Sequence, residues 1–276
     1  MPEWKVTTPI NQFAHLETGS QIDIVSTVHV GQPDYYRKLS SYIMARQDEG
    51  FAVHYESIAD GDKAEPSNTL EHMKWRVHEA RIDASADSLV LAETGSKYTI
   101  QDDKKLFRRS GSENHDITNA DLVHQTTLAA ALGKLMSARK LRRKLEKASA
   151  KGPDILDEVV FSVLKEEVDK VKARRAHIKG RDRVTIDVRN SVALDGVDVA
   201  LAENPAARLV LIWGIGHLAG LKSGLVDRGY VFAGSQEINA AISRARLERV
   251  IKRNEASLRR QRAKLEERMA TTSRHD

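Results

Sequence analysis

The sequence contains one arrangement of residues twice, near its start and near its end. Each copy reads as an apolar run, a small residue, a histidine, a helix-like stretch and an aromatic residue that opens a second apolar run. The first copy comprises residues 22–30 with Ser26 and His29, then Phe51, and the second comprises residues 209–213 with Gly214, Gly216 and His217, then Tyr230. This order is typical of a βαβ unit. Two such units restrict the chain to an α/β fold.

Further short runs of β-branched or apolar residues predict strands at 51–58, 88–92, 97–100 and 230–233. Helical spacing of leucine, valine and alanine predicts helices at 34–48, 66–85, 119–147 and 153–178. We therefore expect a central mixed sheet flanked by helices, made of two pseudo-related halves that each carry a histidine-bearing loop. A helical middle insertion and a charged C-terminal helix complete this prediction.

The predicted domain organisation is an α/β domain over residues 1–235, a helical insertion within it at about 105–180, and a tail over 236–276. Gly152-Pro153 divides the insertion into two helices, and residues 179–182 close the second. An amphipathic helix with a basic outer face is expected at 134–151. Such a face suits a membrane surface or an anionic substrate, although charged outer faces are also common on soluble helices.

Charge is concentrated in the tail, where residues 236–276 hold 11 Lys and Arg against 6 Asp and Glu, a net +5 that equals the charge of the whole chain. The interleaved acids and the absence of an aromatic residue make nucleic acid an unlikely partner of this helix. Self-association through the tail into a homo-oligomer, or a simply solvated helix, explains it better.

Absent residues and segments narrow the function classes. The chain has no cysteine, which excludes disulfides, thiolate zinc sites and a cysteine nucleophile. Its first residues do not resemble a signal peptide, and its longest apolar run, 209–221, is shorter than the ~20 residues that span a bilayer. A cytoplasmic protein without a transmembrane segment is expected.

The two histidine-bearing loops are expected at the carboxyl edge of the sheet, where α/β proteins bind ligands. Glu56 ends the strand predicted at 51–58, so His29, His217 and Glu56 converge if the three strands are neighbours. Two histidines and one glutamate suit zinc, or manganese or cobalt with further oxygen ligands, and a metal-bound water ionises readily. Without a metal, the same groups can act as acid and base. An ordinary edge carboxylate paired with a lysine or arginine explains Glu56 equally well, and His54 on the same strand is a weaker candidate.

Other residues around these motifs can bind a substrate. Arg189 can hold a carboxylate or an oxyanion, and Asn190 can complete a coordination shell. An ion pair of Arg189 with Asp187, or a helix start at Asn190, is the commoner explanation of this dipeptide. Gly214 and Gly216 allow a ligand to approach the backbone closely.

Taken together, these motifs resemble the TraB, PrgY and GumN family, to which the Tiki proteins belong. The residues that carry the resemblance are Ser-Thr-Val-His at 26–29, Glu56, Val-Arg-Asn at 188–190 and Trp-Gly-Ile-Gly-His at 213–217. The resemblance implies the fold shared with the erythromycin esterase and ChaN-like group. It also implies a metal-binding or catalytic set of His29, Glu56 and His217, with Arg189 and Asn190 as the motif of the second half.

The family pattern extends to two looser matches. Asp121 corresponds to an acidic motif of the middle region, and Ser26 stands where the family has glycine. Tiki members are described as metal-dependent proteases, whereas the pheromone-shutdown members are described through signalling roles. The first hypothesis is therefore a metal-assisted hydrolase of a peptide or small-molecule amide bond. The alternatives are a non-catalytic sensor that binds a small anionic ligand or peptide in the same cleft and, least favoured, a nucleic-acid-binding protein.

Overall fold

The computed structural model describes residues 3–58, 68–85, 87–102, 106, 111–173 and 183–272. Its centre is a six-stranded mixed sheet in the order β6-β4-β7-β2-β1-β8. The strands are β1 (Lys5–His15), β2 (Gln21–Thr27), β4 (Ala52–Tyr55), β6 (Ser112–Asn114), β7 (Arg208–Gly214) and β8 (Tyr230–Ile242). Strands β6, β4, β7 and β2 are parallel, and β1 runs antiparallel to both β2 and β8. A separate antiparallel pair joins β3 (Val30–Gly31) to β5 (Thr99–Ile100).

Helices cover both faces of this sheet. They are α1 (Pro33–Asp48), α2 (Thr69–Asp83), α3 (Asp87–Glu93), α4 (Asn119–Gln125), α5 (Leu128–Ser149), α6 (Pro153–Ala173), α7 (Arg183–Glu203), α8 (Leu218–Asp227) and α9 (Arg244–Thr272), with 3-10 turns at Gly95–Lys97 and Ile215–His217. The predicted α/β class, with a mixed sheet flanked by helices, is confirmed. No helix among the described residues is both long enough and apolar enough to cross a bilayer.

The core divides into two layers because side chains alternate across the sheet. On strand β7, Val210 and Ile212 face the layer formed with α1, α5 and α6. Leu211 and Trp213 face the opposite layer, which is formed with α7 and α8. Since β7 is buried on both faces, its sequence is a continuous apolar run rather than an alternating one. This central position places the end of β7 in the middle of the carboxyl edge.

Several predicted elements agree with the structure. The helix predicted at 34–48 corresponds to α1, and Gly152-Pro153 separates α5 from α6 as expected. Gly152 takes a φ of 115°, which a residue with a side chain rarely adopts, and Pro153 opens α6. The predicted residues 174–178 of the second helix, and the closing segment 179–182, lie outside the described residues.

Other predicted elements differ. Residues 88–92 belong to helix α3 rather than to a strand, because periodicity alone does not distinguish a short apolar run in a helix from one in a strand. The helix predicted at 119–147 is two helices, because Thr127 caps a new one by accepting from the Ala130 N–H.

The sheet also extends beyond the predicted end of the α/β domain. Strand β8 continues to Ile242, so the charged helix begins at Arg244 rather than at residue 236. The extension exists because β8 pairs with β1 along its length, from His15 with Tyr230 to Lys5 with Ile242. The prediction missed β1 altogether, although its residues supply the partner for this extension.

Helices α7 and α8 approach closely because α8 carries glycine at two positions one turn apart. A Cβ added at Gly220 would lie 2.1 Å from Nδ2 of Asn190, and one added at Gly224 would lie 2.2 Å from Cδ1 of Leu194. Asn190 and Leu194 are themselves one turn apart on α7. This contact fixes α7 against the loop that follows β7.

We expect Gly224→Ala to lower the free energy of unfolding by about 1–3 kcal/mol, because the methyl group overpacks the buried Leu194. Chemical denaturation measures the change. Ser223→Ala, at an exposed position of the same helix, is the matched control and should change stability by less than about 0.5 kcal/mol. Equal effects of the two substitutions would contradict the close packing.

Candidate active site

The carboxyl ends of β4, β7 and β2 lie side by side and bring two of the predicted residues together. Glu56 follows β4, and its N–H donates to the carbonyl of Ile212 at 3.0 Å. The 3-10 turn after β7 turns His217 back towards the same point. Nε2 of His217 lies 3.6 Å from Oε1 of Glu56. The expected convergence of Glu56 and His217 at this edge is therefore present.

Arg189 joins this pair from helix α7. Its guanidinium donates to Oε1 of Glu56 and also to both oxygens of Asp116, at 2.8 and 2.6 Å. The Asp116 side chain is fully buried, and only 12% of the Glu56 side chain is exposed. Two buried carboxylates therefore share one buried cation. Glu56 is thus a carboxylate paired with an arginine, as the simpler interpretation of the sequence expected. It also lines a cavity.

Asn190 and Gly214 fix the orientation of the two central groups. Oδ1 of Asn190 lies 2.8 Å from Nδ1 of His217, and the Gly214 N–H donates to Oε2 of Glu56 at 2.5 Å. Asn190 lies within α7, so the expectation of a helix start there is wrong. Because an amide oxygen only accepts, Nδ1 of His217 carries the proton and Nε2 is left as the basic nitrogen.

Charge states follow from these contacts. Burial lowers the pKa of His217, and the attraction of Glu56 does not compensate for it. For Glu56, burial raises the pKa, but His217, Arg189 and the Gly214 N–H together outweigh it, so the net pKa is lowered. Since His217 is neutral at neutral pH, Arg189 is the cation that keeps Glu56 ionised. The centre thus holds the carboxylates of Glu56 and Asp116, one guanidinium and a neutral imidazole.

A polar cavity of about 390 Å³ opens in front of Glu56 and Arg189. His29, which is exposed, lines this cavity, as does Thr27 at the end of β2. Arg81 from α2 and Lys134 from α5 contribute two more cations. Burial and the charge of Arg189 lower the pKa of Arg81. Among the described residues, three cationic side chains, Arg81, Lys134 and Arg189, line the cavity against the one carboxylate of Glu56, and this excess of positive charge favours an anionic ligand.

The side chains around Glu56 do not suit the expected metal. Both oxygens of Glu56 already accept hydrogen bonds, and the oxygen nearest His217 contacts the guanidinium of Arg189. A divalent cation there would meet a fixed positive charge. Over the described ranges, ligand atoms of three such residues come within 4.8 Å of one another at His54, Glu113 and His115. The expected set of His29, Glu56 and His217 does not form such a group and does not fit a metal in this arrangement.

The remaining predicted residues take other positions. The Ser26 hydroxyl is buried and has no hydrogen-bond partner among the described atoms, and the cavity wall is formed by its neighbour Thr27. Asp121 caps helix α4 through Thr118, while the adjacent Leu122 lines the cavity. A Cβ added at Gly216 would lie 3.6 Å from Cδ1 of Ile186 on α7, an ordinary contact distance.

Sequence reasoning missed three residues of this region. Asp116 and Arg81 lie in segments without a motif, so nothing in the sequence indicated them. Lys134 begins the basic helix predicted at 134–151, whose outer face suits contact with an anionic substrate. Of that run, Lys134 lines the cavity. Arg81 and Lys134 are distant in sequence from the strands that end here, whereas Asp116 follows the short edge strand β6 by two residues.

Comparisons with known proteins do not identify a family for this chain. No protein-family model matches the chain, and no curated protein and no solved structure is significantly similar to it. The resemblance to the TraB, PrgY and GumN family remains a prediction that rests on the motifs alone.

Proposed function

We propose that this chain is a hydrolase that cleaves a peptide or amide bond in a substrate carrying an anionic group. The observation that carries the proposal is the cavity itself, in which His29 and the buried Glu56–Arg189 pair face the same polar space as Arg81 and Lys134. Such convergence of titratable and cationic side chains in one concave site is typical of an active site.

A second cavity refines the substrate class. It has a volume of about 180 Å³, shares His29 with the polar cavity and is lined by apolar residues that include Leu141, Leu145 and Val160. His29 therefore stands between a cationic space and an apolar one. A substrate with an apolar side chain on one side of the scissile bond and a negative charge on the other matches both.

In the proposed reaction the water oxygen bonds to the carbonyl carbon while one water proton passes to His29. His29 then returns a proton to the amine as the C–N bond breaks. Glu56 orients the water, Arg189 stabilises negative charge on the carbonyl oxygen, and Arg81 binds the anionic group of the substrate. Asn190 and His217 act as positioning residues, because His217 lies behind Glu56 and is only 3% exposed.

The metal-assisted form of this hydrolysis, with Zn, Mn or Co on His29, Glu56 and His217, is less well supported. It would require Glu56 to give up the contact with Arg189, and we assign no step to a metal there. The alternative of a non-catalytic sensor that binds an anionic ligand or peptide has one observation in its favour. Both oxygens of Glu56 are already held by protein donors, as suits a binding site with a fixed charge pattern.

The test is a hydrolysis assay on paired peptides that have an apolar residue and either a carboxylate or a neutral amide end. Full-length protein is assayed after chelation, and again with Zn²⁺, Mn²⁺ or Co²⁺ supplied, and products are identified by mass spectrometry. We expect Arg81→Gln to raise KM about tenfold for the anionic peptides, because a charged hydrogen bond is lost, and to leave neutral ones unchanged.

The matched control is Arg143→Gln, which removes the same charge from an exposed position of α5 and should leave KM unchanged. Binding of the anionic peptides without turnover, weakened by Arg81→Gln, would favour the sensor. If the peptides were neither bound nor hydrolysed in any arm, both proposed functions would be contradicted.

A further inference from the structure

A second cluster of chemically active side chains lies at the outer edge of the sheet, outside the cavity. His54 on β4 and Glu113 on the edge strand β6 are direct register partners. His115 follows Glu113 by two residues, and its N–H donates to the Tyr55 carbonyl at 3.3 Å. Side chains two apart on a strand, and partners on adjacent strands, share one face of the sheet. The topology therefore brings the three side chains together.

The contacts within the cluster join two neighbouring imidazole rings and one carboxylate. The His54 and His115 rings are 4.1 Å apart between centroids, and Nε2 of His115 lies 3.0 Å from Oε2 of Glu113. His54 is only 3% exposed, and its Nδ1 has no hydrogen-bond partner in the part of the chain that the structure describes. A buried polar atom without a partner costs free energy unless it has a ligand.

We propose that His54, Glu113 and His115 bind one divalent transition-metal ion, with Zn²⁺ the best chemical match. Each residue offers one ligand atom, and all three atoms lie within 4.8 Å of one another. Two imidazole nitrogens and one carboxylate oxygen suit zinc, whereas calcium and magnesium prefer oxygen alone. Water supplies the fourth ligand, because 66% of the Glu113 side chain is exposed.

Binding requires the ligands to close in. Bonds of ~2.1 Å in a tetrahedron place ligand atoms roughly 3.4 Å apart, so separations that lie within 4.8 Å must shrink by at most about 1.4 Å. Glu113 is exposed on an edge strand and can make this movement.

Such an ion would hold together the elements that carry the candidate active site. His115 packs on helix α7, where a Cβ at Gly196 would lie 2.4 Å from its Nδ1. The next residue, Asp116, pairs with Arg189 of the same helix. His54 lies two residues before Glu56 on β4. The metal thus cross-links β4, β6 and, through packing, α7, which is a structural rather than a catalytic role.

The experiment uses full-length protein that has been freed of metal with a chelator and then dialysed against Zn²⁺ or Co²⁺. We expect one zinc ion per chain by elemental analysis, and a rise in Tm of roughly 5 °C or more at a hundredfold excess over Kd. Bound Co²⁺ should show the intense visible absorption of a tetrahedral site.

Glu113→Gln and His115→Gln are the diagnostic variants, since both positions are partly exposed and should fold. Each is expected to lose the bound zinc and the rise in Tm, whereas His29→Gln in the cavity and His124→Gln beside Glu71 should keep them. Unchanged zinc content in the first two variants would overturn the proposal, as would loss of zinc in His29→Gln, which would move the ion to the cavity. Zinc content and Tm do not depend on catalysis, so a negative result in the hydrolysis assay would not change either measurement.

Discussion

Replacing Arg189 with methionine is expected to lower the free energy of unfolding by about 3–5 kcal/mol. The substitution leaves the carboxylates of Glu56 and Asp116 buried without their shared cation, and breaking a buried ion pair from one side costs this much. Methionine keeps most of the side-chain volume, so the loss reports charge rather than a cavity. Urea denaturation at neutral pH measures it.

The dependence on pH provides a second readout of the same prediction. In the wild type the pKa of Glu56 is lowered, so its contribution is fully present above its ordinary pKa of 4.5 and disappears as the pH falls through the lower folded value. Without Arg189 the pKa of Glu56 rises, so acid protonates Glu56 and removes its buried, unpaired charge from the variant. The deficit should shrink as the pH is lowered from 7 towards 4.

The control for this prediction is Arg37→Met, which breaks an ion pair whose two side chains are 77% and 48% exposed. It should cost less than about 1 kcal/mol, because water already screens both charges. A similar loss in both variants, or a deficit for Arg189→Met that does not change with pH, would contradict the buried charge network.

The second large effect is expected from His29→Gln, which should lower kcat/KM by about 10²–10⁴ in the proposed hydrolysis, the usual contribution of a general acid–base residue. Glutamine keeps a polar side chain but cannot take up a proton at neutral pH. His29 is exposed, so the free energy of unfolding should stay within about 0.5 kcal/mol of the wild type. Steady-state kinetics and denaturation of the same preparations measure both quantities.

The matched control is His124→Gln, which removes an exposed histidine that does not line the cavity. It should leave kcat/KM unchanged. A loss confined to KM would show that His29 only binds substrate. An unchanged kcat/KM in His29→Gln would instead remove its proposed catalytic role.

Residues at the end of strand β4 belong to two different sites. Glu56 lies at the carboxyl end of β4 and belongs to the charge network with Arg189, while His54 on the same strand faces the second cluster. The sequence motifs predicted a metal bound by Glu56 and two histidines, with His54 as a weaker candidate ligand. We propose the reverse, because both oxygens of Glu56 already accept hydrogen bonds from protein donors, whereas Nδ1 of His54 has no hydrogen-bond partner among the described residues.

Much of the fold was accessible from the sequence because it depends on local patterns. Apolar runs that are buried on both faces, as in β7, and glycine-proline breaks, as at Gly152-Pro153, act over a few residues. Strand β1, the longest element that the sequence patterns did not predict, was missed for a different reason. Its run includes Pro9, Asn11 and Gln12, which a sequence analysis does not associate with a strand, and pairing with β2 and β8 overrides that preference.

The sequence by itself determined the α/β class and the edge at which Glu56 and His217 meet, because parallel βαβ units place the loops after their strands on one side of a sheet. The identity of the charge that faces Glu56 was decided by the tertiary structure alone. Arg189 and Asp116 are 73 residues apart and meet only because α7 packs across the end of the sheet. A carboxylate is recognisable in a sequence, but its partner is set by distance in space.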